Sequence, residues 1–161
     1  MTVEKLRIDY LSESAAEIED ILWKLRSDDK IKRFATRLRG SRMTNFKSLS
    51  DELSSSLHFP YYFSSNWASL DECLGDLEWL FSEEIFLIFE ELDNILSDQD
   101  ERIATFVEIL ESAILEHGQN RNGHQKLRII LQKNDNRFIL FQNEFSKGDL
   151  DFTPFCINGD D

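Results

Sequence analysis

Apolar residues Ile18, Ile21, Leu22 and Leu25 recur at three- and four-residue spacing, and Ser14 precedes Glu17 by three positions. That pattern predicts an amphipathic helix over about Glu13 to Arg26, opened by a capping box. Phe34, Thr36 and Leu38 then alternate with charged positions, which predicts a strand with one solvated face, ended by Gly40. Phe46, Leu49, Leu53 and Leu57 return to helical spacing, with Thr44 or Asn45 as N-cap and Pro60 as the stop. A second short helix starts near Asn66, with Trp67, Leu70, Leu74 and Leu77 as its apolar stripe. The run Ile85-Phe86-Leu87-Ile88-Phe89 has the length and composition of a strand buried on both faces. From about Asp98 to His117, Ile103, Phe106, Val107, Leu110 and Ile114 predict a long helix that ends at Gly118.

Gln119 to Gln125 reads as a polar loop, and Leu127-Arg128-Ile129-Ile130-Leu131 as a third strand. Asn134-Asp135-Asn136 reads as a turn, after which Arg137-Phe138-Ile139-Leu140-Phe141 returns as a hairpin partner. The last twenty residues are rich in Phe but show no period. Strands alternating with helices predict an α/β sheet, parallel in its body, with an antiparallel strand added at its C-terminal end. The length fits a single domain over 1–161, divided into an N-terminal helical extension (1–33), a core (34–132) and a C-terminal extension (133–161).

Charge narrows the functional classes. A net charge of −13 argues against partners that present phosphates, whether nucleic acid or an anionic membrane. No apolar run has the roughly 18–20 residues needed to span a bilayer, and the first twenty residues lack a signal-peptide layout, so the expected location is the cytoplasm. Cys73 and Cys156 are expected to remain separate thiols. His58, His117 and His124 share no ligand spacing with each other or with cysteine, so no metal is expected. There is no glycine-rich phosphate loop and no Gly-x-Ser-x-Gly elbow, and Asp71 and Glu72, adjacent on a helix, diverge by about 100°. The expectation is a protein without cofactor or catalytic activity.

Between Lys47 and Arg102 the chain carries no lysine or arginine but fourteen aspartates and glutamates. Six of its eighteen positive residues are instead gathered at Lys30, Lys32, Arg33, Arg37, Arg39 and Arg42, read as a solvated strand face that offsets the acids. With Trp67, Leu70, Leu74 and Leu77 turned inward, the helix after Asn66 turns Ala68, Asp71, Glu72 and Asp76 outward. Carboxylates held rigidly on a helix suit a positively charged protein partner, and their field speeds encounter.

The stretch from Leu38 to Leu77 resembles the barstar family of ribonuclease inhibitors, and the element order extends that resemblance over 34–132. Leu38-Arg39-Gly40 sits like the family's strand-ending Ile-Asn-Gly. Leu49, Leu53 and Leu57 match the leucines of its first helix. Pro60, Tyr62, Asn66, Leu70, Cys73 and Leu74 occupy, without a gap, the family's Pro, Tyr, Asn, Leu, Cys and Leu.

The resemblance implies a small parallel three-stranded sheet with helices packed around it. It also implies a function, the occlusion of a ribonuclease toxin's basic active site by the second helix and the loop before it. The residues so implied are Tyr62, Phe63, Ser64, Ser65, Asn66, Ala68, Asp71, Glu72 and Asp76, with Glu90 and Glu91 as additional acids. The protein is expected to be a monomer before complex formation. Three positions depart from the family's pattern: Ser64 replaces a glycine, Ala68 an aspartate, and Asp71 an exposed aromatic. A protein-interaction module for a non-nuclease basic partner is the alternative these departures leave open.

Overall fold

Five strands form one sheet in the computed structural model, which describes residues 7–118, 125–133, 137–148 and 150–157. They are β1 (Arg7–Leu11), β2 (Arg33–Arg39), β3 (Glu84–Glu90), β4 (Lys126–Gln132) and β5 (Asp151–Pro154), in the spatial order β2-β3-β4-β1-β5. Every neighbouring pair is parallel. The helices are α1 (Ala15–Ser27), α2 (Phe46–Ser56), α3 (Trp67–Asp76), α4 (Ile103–Gly118) and α5 (Arg137–Ser146). The mixed α/β class is as the periodicities predict, but the sheet has five strands, and the antiparallel strand is absent from the described residues.

Both differences have physical causes. Arg137–Ser146 is helical because Phe138, Phe141 and Phe145, three and four apart, are buried on one stripe, while Ile139 and Leu140 are exposed. A short apolar run cannot by itself separate strand from helix; the spacing out to Phe145 decides it. β1 interrupts its apolar residues with Asp9, and its partners β4 and β5 lie more than a hundred residues away in sequence. Asp9 is nonetheless buried, because it accepts from Arg128 Nε at 2.8 Å and Thr153 Oγ1 at 2.7 Å and pairs with Arg7 at 3.3 Å. The N-terminal stretch is therefore strand then helix. The predicted turn at 134–136 and the loop residues 119–124 lie outside the described residues.

The two faces of the sheet are built differently. One is apolar: Ile8, Leu38, Ile85, Leu87, Phe89, Leu127, Ile129 and Leu131 meet α2 to α5 in the larger core. The opposite face packs Ala35, Phe86, Ile88 and Ile130 under Ile18, Leu22 and Leu25 of α1. Beyond α1 this second face becomes an ordered polar layer. Arg33 pairs with Glu84 at 2.8 Å, and the Arg33 and Arg128 guanidiniums lie 5.8 and 5.9 Å from the Phe86 ring. Arg37 donates to Glu90 and to Glu19. Of the basic residues predicted to form a solvated strand face, Arg33 and Arg37 are instead built into the fold, their side chains only 16% and 11% exposed, while Lys30, Lys32, Arg39 and Arg42 are exposed as predicted.

α2 and α3 form where the sequence predicts. Asn45 Oδ1 accepts from Ser48 N at 2.9 Å and Asn66 Oδ1 accepts from Ser69 N at 2.8 Å, each capping its helix. Leu49, Leu53, Leu70, Leu74 and Leu77 are fully buried, and the α2–α3 contact is extended by Phe46 against half-buried Trp67, with ring centroids 4.4 Å apart.

Candidate partner-binding face

The loop between α2 and α3 is anchored by aromatics. Phe59 packs edge-on against Phe63 at 4.9 Å and Trp79 at 6.0 Å, while Trp79 Nε1 donates to Leu57 O at 2.8 Å. Phe63 is therefore half-buried and supports the loop from beneath. With that support fixed, Tyr61 is fully exposed and Tyr62 is 46% exposed. Ser64 N donates to Ser69 Oγ at 2.9 Å, which draws the loop onto the first turn of α3. Ser64, Ser65, Asn66 and Ala68 line up at the exposed entrance to that helix.

Asp71 and Glu72 are exposed on α3 and form no ion pair among the described residues. Asp76 follows one turn on, its Oδ1 accepting from Glu78 N at 3.2 Å. The three acids border a groove between α3 and α4 of about 460 Å³, which Gly75, Glu78, Ser112 and Glu116 complete. Tyr62 lies close enough to feel these acids: partial burial, then the negative charge of Asp76, Glu72 and Glu78, raises its phenol above the ordinary range. Cys73 lies directly beneath. Burial first, and Glu72 and Asp76 after it, push this thiol up to about 11, so it is a protonated core residue and not a nucleophile. Both cysteines are free, Cys73 buried and Cys156 exposed.

α3 carries this charge against its own dipole. It has no acid in its first turn, where the helix end is positive, and Asp76 is its last residue, where the end is negative. Its C-terminal carbonyls are held by uncharged groups, His117 Nε2 lying 3.1 Å from Leu74 O and Gln125 Nε2 donating to Leu77 O at 3.0 Å. Burial lowers the His117 pKa and keeps the ring neutral. The helix end is thereby fixed without adding a positive charge to the groove.

Glu90 and Glu91 are not brought to this face. Glu90 is 3% exposed and grips Arg37 with both carboxylate oxygens. Glu91 is half-buried, with φ 55°, and its Oε1 accepts from Ser41 Oγ at 2.8 Å. A Cβ at Gly40 would lie 1.9 Å from Glu91 O, so this corner requires glycine at 40. The charges that do join the groove, and that strand-end reasoning missed, are Glu78 and the α4 residue Glu116, with Ser112 beside it. Their signal in the sequence was helical phase: Ser112 and Glu116 are four apart, away from the Phe106, Leu110 and Ile114 stripe. Among the described residues, no three histidine, cysteine or carboxylate side chains converge as the ligands of a metal would, and no helix is long and apolar enough to cross a membrane.

A parallel sheet with an aromatic loop and an acidic helix beside it defines an α/β protein with one strongly acidic face. The family description "Barstar (barnase inhibitor)" matches residues 33–132, and the chain belongs to that family. Among curated proteins none matches it in sequence.

Solved structures similar in fold include the ORC2 protein of Aeropyrum pernix in its ADP form (TM-score 0.53, 11% identity, 94% of this chain and 43% of that one). The same protein in ADPNP–ADP complexes gives 0.54 at 11% identity, over 94% of this chain and 42% of that one. Drosophila ORC bound to GC-rich DNA and Cdc6 gives 0.50 at 13% identity, over 93% and 49%. The chain spans less than half the length of each, and the likeness is one of fold.

Proposed function

We propose that this chain is an inhibitor or immunity protein of barstar type that occludes the basic active site of a ribonuclease toxin. The observation that carries this reading is the one-signed groove of α3 and α4. Asp71, Glu72, Asp76, Glu78 and Glu116 border it, no lysine or arginine among the described residues lines it, and α3 ends on Asp76 against the helix dipole. Clustered like charge costs a fold self-repulsion, and a partner built of Lys, Arg and His to hold a phosphate gains a matched surface. Tyr62, beside Ser64 and Ser65, supplies the planar contact that interface centres favour, and Tyr61 extends it. Ala68 leaves the first exposed position of α3 uncharged, which shifts the centre of the contact toward Glu72 and Asp76. The protein works as a monomer in the cytoplasm, where its two free thiols are stable, and needs no cofactor.

The nucleotide of the Aeropyrum pernix ORC2 protein is not carried over. Open α/β sheets bind ligands beyond the carboxyl ends of strands whose connections diverge, here β1 and β4. In this chain the turn after β1 is Ser12-Glu13-Ser14, with no glycine or lysine to cradle a phosphate. Gln132 crosses the same crevice, donating to Glu13 O at 3.0 Å and accepting from Glu91 N at 3.3 Å. The reading is of a binding protein, not an enzyme.

The test is affinity capture on the immobilised chain from cells of its source, followed by an RNA-cleavage assay. A basic ribonuclease should be retained, and its cleavage should stop when one equivalent of the chain is added. Capture of a basic protein with no RNA-cleaving activity, or of a nuclease that stays active in the complex, would favour the interaction module that the uncharged Ala68 leaves open.

A further inference from the structure

Around the outer edge of β2, between α1 and α2, lies a second depression of about 290 Å³ whose chemistry is the reverse of the acidic groove. Four arginines line it, Arg26, Arg37, Arg39 and Arg42, against two glutamates. Each glutamate is already engaged: Glu19 accepts from Arg37, and Glu52 accepts from Arg39 N at 3.3 Å. Two of the arginines are also engaged, Arg37 by Glu90 and Glu19, and Arg26 by Ala35 O at 3.1 and 2.5 Å. The remaining two differ. Arg39 and Arg42 are exposed, and among the described residues neither guanidinium has a carboxylate partner. In a protein of net charge −13, with acids available elsewhere, two unpaired arginines converging on one concavity are unexpected as mere solubilising charge.

We propose that this depression is a binding site for a phosphate-class oxyanion, free or as a monoester, held by Arg39 and Arg42. The planar fork of a guanidinium matches two oxygens of a phosphate, and two forks can share one tetrahedral anion. Thr36, Ser55 and Ser56 complete the lining with hydroxyl donors. A peptide strand added to the edge of β2 is the less suitable occupant. Arg26 already closes the Ala35 carbonyl and Glu52 the Arg39 N–H, so the edge is capped on both sides of Arg37. The volume exceeds a single phosphate and stands near the lower end of small-molecule sites, about 300–1,000 Å³. The esterified group therefore has room to enter with the anion. The site is independent of the ribonuclease reading, since none of its residues belongs to the α3–α4 groove.

Isothermal titration calorimetry of the full chain, with sodium phosphate in one arm and adenosine 5′-monophosphate in the other, tests this. Saturable binding at one site is expected in at least one arm, and comparison of the arms tells the free ion from the ester. The paired substitution Arg39→Gln with Arg42→Gln should weaken binding at least tenfold, and Arg42→Gln alone should weaken it measurably. Both residues are exposed, so circular dichroism should be unchanged. Glu72→Arg, on the other face, should leave anion binding as it is. The proposal is overturned if neither anion saturates, if the paired variant binds as the parent does, or if only a glutamate-rich peptide binds.

Discussion

The arginines of β2 and the carboxylates of α3 are both dense clusters of one charge, and the fold treats them in opposite ways. Arg33 and Arg37 are turned onto the sheet face under α1 and matched to Glu84, Glu90, Glu19 and Asp28. Asp71 and Glu72 are turned outward on a helix whose neighbour α4 adds Glu116 instead of a base. Arg33 and Arg37 are neutralised within the molecule and contribute to its stability, whereas Arg39 at the end of the strand is not paired among the described residues. Asp71 and Glu72 are left without an ion pair among the described residues, at some expense in self-repulsion. Charges that the fold leaves unmatched while matching others nearby are the ones the proposed function assigns to a partner.

That contrast can be broken most forcefully at Glu90. Replacing Glu90 by Ala leaves Arg37 buried without its main counter-charge, which should cost roughly 3–5 kcal/mol of stability in urea unfolding. Glu72→Ala should stay within about 0.5 kcal/mol of the parent, because its carboxylate is solvated and unpaired. Equal losses at the two positions would erase the distinction.

A smaller effect concerns pH. His117 is held neutral by burial, so its folded pKa lies below the ordinary histidine value of about 6.5. The unfolded chain takes up a proton first as pH falls, and stability should drop as pH passes down through about 6.5 toward the lower folded value. Above that window stability does not depend on this histidine. Unfolding curves at about pH 7.5 and 5.5 should show a larger fall in the parent than in His117→Gln, which keeps a donor for Leu74 O. An identical fall in both would mean that the end of α3 is not held as described.

The smallest effect is chemical. Cys156, exposed, should react with a thiol reagent at neutral pH well before Cys73. Glu72→Gln should then lower the Cys73 pKa from about 11 and speed its slow alkylation in mildly alkaline buffer. No change would mean that the carboxylate field does not reach beneath α3.

Much of this arrangement could be read from local pattern. The caps at Ser14, Asn45 and Asn66 and the leucine stripes of α2 and α3 placed those helices, and the same phase turned Asp71 and Glu72 outward. What could not be read depended on distant pairing. β1 is a strand because Asp9 meets Arg128 and Thr153 across the sheet, and no local signal announces a buried aspartate of that kind. Glu90 looked like free acid at a strand end until Arg37, fifty-three residues away in sequence, claimed it. Glu116 joined the groove only once α4 was packed against α3. Stretches governed by their own period were legible, and charges whose fate depends on a distant partner were not.

Stopped-flow association of the captured basic partner with the parent chain and with Glu72→Arg, over a series of salt concentrations, tests the role of the acidic groove most directly. The account predicts a fast parental on-rate that falls steeply as salt rises, and a dissociation constant at least tenfold weaker for Glu72→Arg, or about 1.4 kcal/mol. An on-rate indifferent to salt, with Glu72→Arg binding as the parent does, would contradict it.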